Sequence, residues 1–191
     1  FYPIKIFNTW YIHTNLMRVT VLRLGHRRER DKRLTTHVAL TARALGAEKV
    51  IISGEKDSGI LSSIIDVSKR WGGSFEVVYE KNWKSVVKEA MDKRRQIVHL
   101  TMYGLPYQKE LLKLKKSKRD ILVIVGSEKV PSEIYQMADY NLGVTSQPHS
   151  EAAALALFLH DVFGGKELNK QFRDAEIKII PNAKGKTVVR K

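Results

Sequence analysis

The chain has 191 residues, no cysteine and a formal charge of +14 at pH 7. That length is enough for one domain with its own core, and the missing thiols exclude disulfides, thiolate metal sites and cysteine nucleophiles. A surface so cationic attracts polyanions, which makes nucleic acid the leading partner class. No apolar run nears the roughly 20 residues that span a bilayer, so a soluble, cytoplasmic protein without membrane contact is expected.

Residues 1 to 16 are aromatic-rich and lack the charged, apolar and small-residue regions of a signal peptide. They read as an N-terminal extension, with the domain beginning at Met17. From there short β-branched runs alternate with amphipathic stretches, the mark of βαβ units around a mainly parallel sheet with helices on both faces. Strands are predicted at Val19 to Leu24, Lys49 to Ile52, Phe75 to Tyr79, Ile97 to Leu100, Ile121 to Val125 and Tyr140 to Val144. The unbroken apolar run at 121 to 125 belongs at the centre of the sheet.

Helical spacing appears in Leu34, Val38, Ala42 and Leu45, and again in Leu61, Ile64, Ile65 and Ser68, with Gly46 and Gly72 as stop signals. The stretch from Glu151 to Phe163 is apolar on nearly every side, as suits a helix buried between layers or in a subunit interface. Residues 166 to 191 form a separate basic tail, in which 176 to 189 read as a C-terminal β-hairpin with a glycine-containing turn.

The stretch Leu22 to His37 carries Arg23, Arg27, Arg28, Arg30, Lys32 and Arg33 directly after the first strand. Arginine forks hold phosphate oxygens in bidentate fashion, so this block reads as a phosphate-recognition element. Two further turns, after Val125 and after Val144, lie where open α/β sheets bind small molecules. No Gly-x-Gly-x-x-Gly, P-loop or Gly-x-Ser-x-Gly motif is present. The six histidines never fall into a metal-ligand spacing, so no metal site is expected.

Taken together, the opening Val21-Leu-Arg-Leu-Gly-His-Arg-x-Glu-Arg-Asp-Lys-Arg-x-Thr-Thr-His37, the run Gly126 to Pro131 and the run Asn141 to Ala156 carry a family resemblance. The chain resembles the SPOUT superfamily of RNA methyltransferases, and within it the archaeal tRNA ribose 2'-O-methyltransferases that act on cytidine 56, over residues 17 to 191. The resemblance implies a deep trefoil knot in the C-terminal part of the domain at 17 to 165, S-adenosyl-L-methionine as cofactor, tRNA as substrate, and a homodimer with the active site at its interface.

It further implies that the cofactor is held by Leu100, Thr101 and Gly104, by Gly126, Ser127, Glu128, Lys129 and Val130, and by Val144, Thr145, Ser146, Gln147, Pro148, His149, Ser150 and Glu151. Arg23, Arg27, Arg30 and Arg33 are the candidate catalytic residues, assigned first to the target phosphate and ribose, with any one of them as proton acceptor. Asp31 stands at or near the asparagine of the wider SpoU pattern and Leu40 at its arginine, Lys129 where it has glycine, and Ala152 where it has asparagine. These departures leave the catalytic residue open. Two other functions stay in play: a non-catalytic RNA-binding or assembly protein, and a SPOUT-type base methyltransferase.

Overall fold

The computed structural model describes residues 17–127 and 129–191. The expected extension at 1 to 16 and the candidate Glu128 lie outside the described residues. In chain order the elements are β1 (Val19–His26), α1 (Arg28–Ala44), β2 (Lys49–Gly54), α2 (Ser58–Trp71), β3 (Glu76–Tyr79), α3 (Trp83–Asp92), β4 (Gln96–Pro106), α4 (Tyr107–Lys116), β5 (Ile121–Val125), α5 (Ser132–Met137), β6 (Tyr140–Gly143), α6 (Glu151–Phe163), a 3-10 turn at Lys166–Asn169, β7 (Ile177–Ile180) and β8 (Thr187–Arg190).

The first six strands form one sheet in the order β3-β2-β1-β5-β4-β6, with every neighbouring pair parallel. Alternation along the strands divides the core. Val19 and Val21 of β1 and Ile121, Val123 and Val125 of β5 face one layer with α1, α2, α4 and α6. Leu22, Leu24, Leu122 and Ile124 face the other with α3 and α5. A strand buried on both faces needs apolar side chains at every position, and all of β5 is buried. Each leucine or isoleucine so enclosed contributes about 1.5–3 kcal/mol.

The structure moves some expected boundaries. In α2 the inward line is Ile60, Ile64 and Ser68, while Ile65 is exposed. The reason is the start of the helix: the Asp57 carboxylate accepts a hydrogen bond from the Ile60 amide at 3.1 Å, and every fourth residue from there faces the sheet. Strand β4 runs six residues beyond the expected Leu100, because after a break in register Leu105 and Pro106 pair again with Leu142 and Gly143 of β6.

That return fixes a close backbone crossing. A Cβ placed on Gly104 would lie 2.6 Å from the carbonyl carbon and oxygen of Asn141, so only glycine fits where β4 passes β6. Helix α6 is capped by Ser150, whose hydroxyl accepts from the Ala152 amide at 3.3 Å, and closes at Gly164 in the left-handed region. It packs against α1 and α4.

Strands β7 and β8 pair antiparallel as a separate two-stranded sheet beyond the main one. No helix among the described residues is long and apolar enough to cross a membrane.

Candidate active site

Parallel strands leave backbone groups unpaired at their carboxyl ends. At that end of β4, β5 and β6 a cavity of about 260 Å³ is lined by His99, Leu100, Thr101, Met102, Tyr103, Val125, Gly126, Ser127, Val130, Tyr135, Leu142, Val144, Pro148, His149, Glu151 and Ala154. Of the expected cofactor residues, Leu100, Thr101, Gly126, Ser127, Val130, Val144, Pro148, His149 and Glu151 therefore come together. Gly104, Lys129, Thr145, Ser146, Gln147 and Ser150 stand outside the lining. Gly104 supports the cavity from behind through its crossing with β6, and Ser150 through its cap on α6.

Sequence reasoning missed His99, Tyr135, Leu142 and Ala154. His99 is buried, and its Nδ1 lies 2.9 Å from Asn141 Oδ1. Asn141 uses its Nδ2 to donate to the Tyr135 carbonyl at 2.8 Å, which leaves its Oδ1 as the acceptor facing His99. The imidazole proton then sits on Nδ1, and Nε2 is an acceptor. That Nε2 is buried and has no partner. Burial holds the His99 pKa below 6.5, against the bond to Asn141, so the ring is neutral at pH 7. Tyr135 meets its edge at a ring separation of 4.7 Å and shares a hydrogen bond of 3.2 Å with Thr101.

The arginine block divides sharply. Arg23 belongs to β1, on the face shared with Val19 and Val21, and is 0% exposed. Its Nη1 donates to the Gly126 carbonyl at 2.6 Å and lies 4.0 Å from the Glu151 carboxylate, while Nε donates to Thr35 Oγ1 at 3.3 Å. One buried cation thus ties the loop after β5 to the first turn of α6. Burial lowers its pKa, opposed by Glu151 and Asp31. Behind it Thr35 Oγ1 lies 2.9 Å from His26 Nδ1, and His26 Nε2 stands 3.8 Å from Asp57. Burial depresses the His26 pKa as well.

Arg27 is half-buried at the start of α1 and forms a forked pair with Asp31, with Nε and Nη2 each 3.0 Å from a carboxylate oxygen. The side-chain bonds from Arg27 hold the Asp31 carboxyl below its ordinary range. Asp31, at or near the position of the SpoU asparagine, therefore anchors Arg27. Arg30 and Arg33, three and six residues further along α1, are exposed.

Another cavity, about 370 Å³, lies at the amino ends of the strands. Its charges already neutralise one another: Arg18 pairs with Asp120 at 2.6 Å, Lys49 with Glu76 at 3.1 Å and Arg95 with Glu48 at 3.8 Å. Among the described residues no group of three or more histidines and carboxylates is placed to hold a metal ion.

The fold and the position of the cavity define an α/β protein of the SpoU/TrmH type. Solved neighbours include the SpoU methyltransferase AviRb from Streptomyces viridochromogenes in complex with AdoMet, with a TM-score of 0.59 at 14% identity over 79% of this chain and 58% of that one. The TrmH/SpoU tRNA modifying enzyme of A. aeolicus gives 0.58 at 14% identity, over 81% of this chain and 77% of that one. The family model for tRNA ribose 2'-O-methyltransferase, aTrm56, matches residues 71–189. Curated relatives described as tRNA (cytidine(56)-2'-O)-methyltransferase are 54% identical in Methanocaldococcus jannaschii, over 91% of this chain and 97% of that protein, and 53% identical in Thermococcus kodakarensis, over 90% and 96%. The chain belongs to the aTrm56 family of tRNA ribose 2'-O-methyltransferases.

Proposed function

We propose that this protein transfers a methyl group from S-adenosyl-L-methionine to the ribose 2'-hydroxyl of cytidine 56 in tRNA. The observation that carries the site is the convergence of the irregular stretch of β4 at 101 to 104 and the loops after β5 and β6 on one cavity whose near side is fixed by Arg23. The residues present fit the cofactor. Leu100, Val125, Val130, Leu142, Val144 and Ala154 offer apolar walls that would hold a nucleoside, the unpartnered His99 Nε2 would serve as a hydrogen-bond acceptor, and Glu151 would supply negative charge for a cationic cofactor.

When bound, the cofactor supplies an electrophilic methyl group. The chain's own contribution is to hold the ribose oxygen in line with it and to exclude water. Arg30 and Arg33, on the exposed side of α1, grip the target phosphate and sugar by forked contacts. Arg27, locked by Asp31, sits at the start of the same helix and completes the cationic edge. Arg23 is committed to Gly126 and Glu151 and acts on the loops rather than on RNA.

Two finer features belong to the same reading. The first is a trefoil knot, supported by β6 at the sheet edge outside β4, the return of α6 to pack on α1, and the break in the β4–β6 register between Leu100 and Leu105. The second is a homodimer through α6, where Ala153, Leu157 and His160 at i, i+4 and i+7 form an exposed stripe, with Leu157 51% exposed. Residues 17 to 165 then form the methyltransferase domain, with 166 to 191 appended.

Methylation of an unmodified tRNA transcript with labelled cofactor tests the reaction, with the product digested and the modified nucleotide mapped by mass spectrometry. Label on the ribose of cytidine 56 is expected. Label on a base, or none, refutes the reading.

A further inference from the structure

The C-terminal β7–β8 pair lies apart from the cavity and carries Lys178, Lys184, Lys186, Arg190 and Lys191, with no acid after Glu176. All five side chains belong to exposed residues, and none pairs with an acid among the described residues. A basic end is often no more than a solvated tail. This one is built into the core at its root.

The Gly73 amide donates to the Arg173 carbonyl at 2.8 Å and the Glu176 amide to the Arg70 carbonyl at 3.0 Å. The Arg43 guanidinium stacks 4.8 Å from the Phe172 ring while donating to the Gly72 carbonyl at 2.6 Å. Gly72 has a φ of +74°, and a Cβ there would fall 2.3 Å from the Arg173 carbonyl oxygen. Glycine at that position lets the root of the pair come within hydrogen-bonding range of the end of α2.

The register distributes the charge. Lys178 faces Val189 and shares its side of the ribbon with Ile180 and Thr187, whereas Arg190 faces Ile177 and shares the opposite side with Ile179 and Val188. Lys184 and Lys186 occupy the turn. The ribbon is therefore cationic on both faces and at its tip, a distribution suited to phosphates on the two walls of a folded RNA groove rather than to one flat apolar contact. Two such arms brought together would repel.

The anchor lies at the amino end of the sheet, beside the last turns of α1 and α2, and the cavity lies at the carboxyl end. Eight residues of β1 separate the two ends by about 26 Å at roughly 3.3 Å per residue. We infer that the β7–β8 arm is a second RNA contact that grips the body of the tRNA away from the nucleotide being methylated. This rests on the function proposed above for the identity of the RNA.

Replacing Lys178, Lys184, Lys186 and Arg190 together by glutamine tests the arm. With unmodified tRNA transcript in about 0.15 M salt, the Kd is expected to rise at least tenfold. The log–log salt slope should flatten by about 3, since each phosphate contact carries roughly 0.7–0.9. Calorimetric S-adenosylmethionine binding and kcat at saturating tRNA should stay within twofold of the parent. As a check that needs no variant, bound tRNA should shield Lys184 and Lys186 of the parent protein from acylation, read by mass spectrometry. An unchanged Kd and slope with no shielding would overturn the arm, as would sedimentation showing that the substitutions separate two copies while tRNA affinity holds. A parent protein that binds tRNA through the arm but leaves cytidine 56 unmethylated would instead sink the proposed function.

Discussion

Replacing Arg23 by methionine isolates the role of the buried cation. The methionine fills much of the same volume, so the loss is chiefly polar. A hydrogen bond from a charged donor contributes about 1.5–3 kcal/mol. The 2.6 Å bond to Gly126 counts fully, and the 3.3 Å contact with Thr35 adds little. Against this, Arg23 buries its charge with Nη2 unpartnered, and removing an unsatisfied group recovers about 1 kcal/mol. A net loss of about 0.5–2 kcal/mol follows, which for a domain near 200 residues lowers Tm by about 1–8 °C. The cofactor site should suffer beyond this, because the Gly126 carbonyl and the Glu151 carboxylate lose the group that holds them together. A tenfold rise in the Kd for S-adenosylmethionine, about 1.4 kcal/mol, is expected by calorimetry on folded protein well below Tm. A fall in Tm with an unchanged Kd would show that Arg23 serves only the fold and would refute the clamp.

At Gly104 an added methyl meets backbone of Asn141 and Leu142 at 2.6 Å, and backbone cannot swing aside as a side chain can. Gly104→Ala should destabilise by about 1–3 kcal/mol in urea unfolding and weaken cofactor binding; parental stability would show that the crossing is loose. Arg33→Ala and Arg30→Ala should each lower kcat/KM for tRNA at least tenfold while calorimetry gives an unaltered cofactor Kd, and normal turnover in both would remove α1 from substrate binding. Acid should weaken the fold through His26 and His99. Burial depresses both below the ordinary 6.5, so below that value the unfolded chain binds protons the folded one refuses. Their stability contribution is complete above about pH 6.5 and falls as pH drops toward the folded values. Urea midpoints at pH 7.5 and 5.5 should differ, and His99→Asn should reduce the difference; equal midpoints in the parent would contradict the buried neutral rings.

The main sheet was legible in the sequence because each strand carries its own signal. Ile121 to Val125 is apolar at every position and proves wholly buried. Where strands lie side by side is a matter of the whole chain, and no local pattern announced that β5 would sit between β1 and β4. Helices α3 and α5 escaped because their buried faces are short, with Val86, Val87 and Ala90 in one and Ile134 in the other.

The site was harder to read where polar residues lie inside strands. Arg23 was grouped with the arginines after it on composition, yet β1 alternates, and its period of two places residue 23 on the same face as Val19 and Val21. His99 stands in the apolar run Ile97 to Leu100, where a buried ring is the natural outcome. A protein carries a buried cation and an unpaired imidazole only against a cost of desolvation. In this fold they lie on parallel strands β1 and β4, either side of β5, with one tying two loops and the other lining the cavity. Stability alone would favour apolar residues at positions 23 and 99, so their departure from the strand pattern points to the work of that cavity.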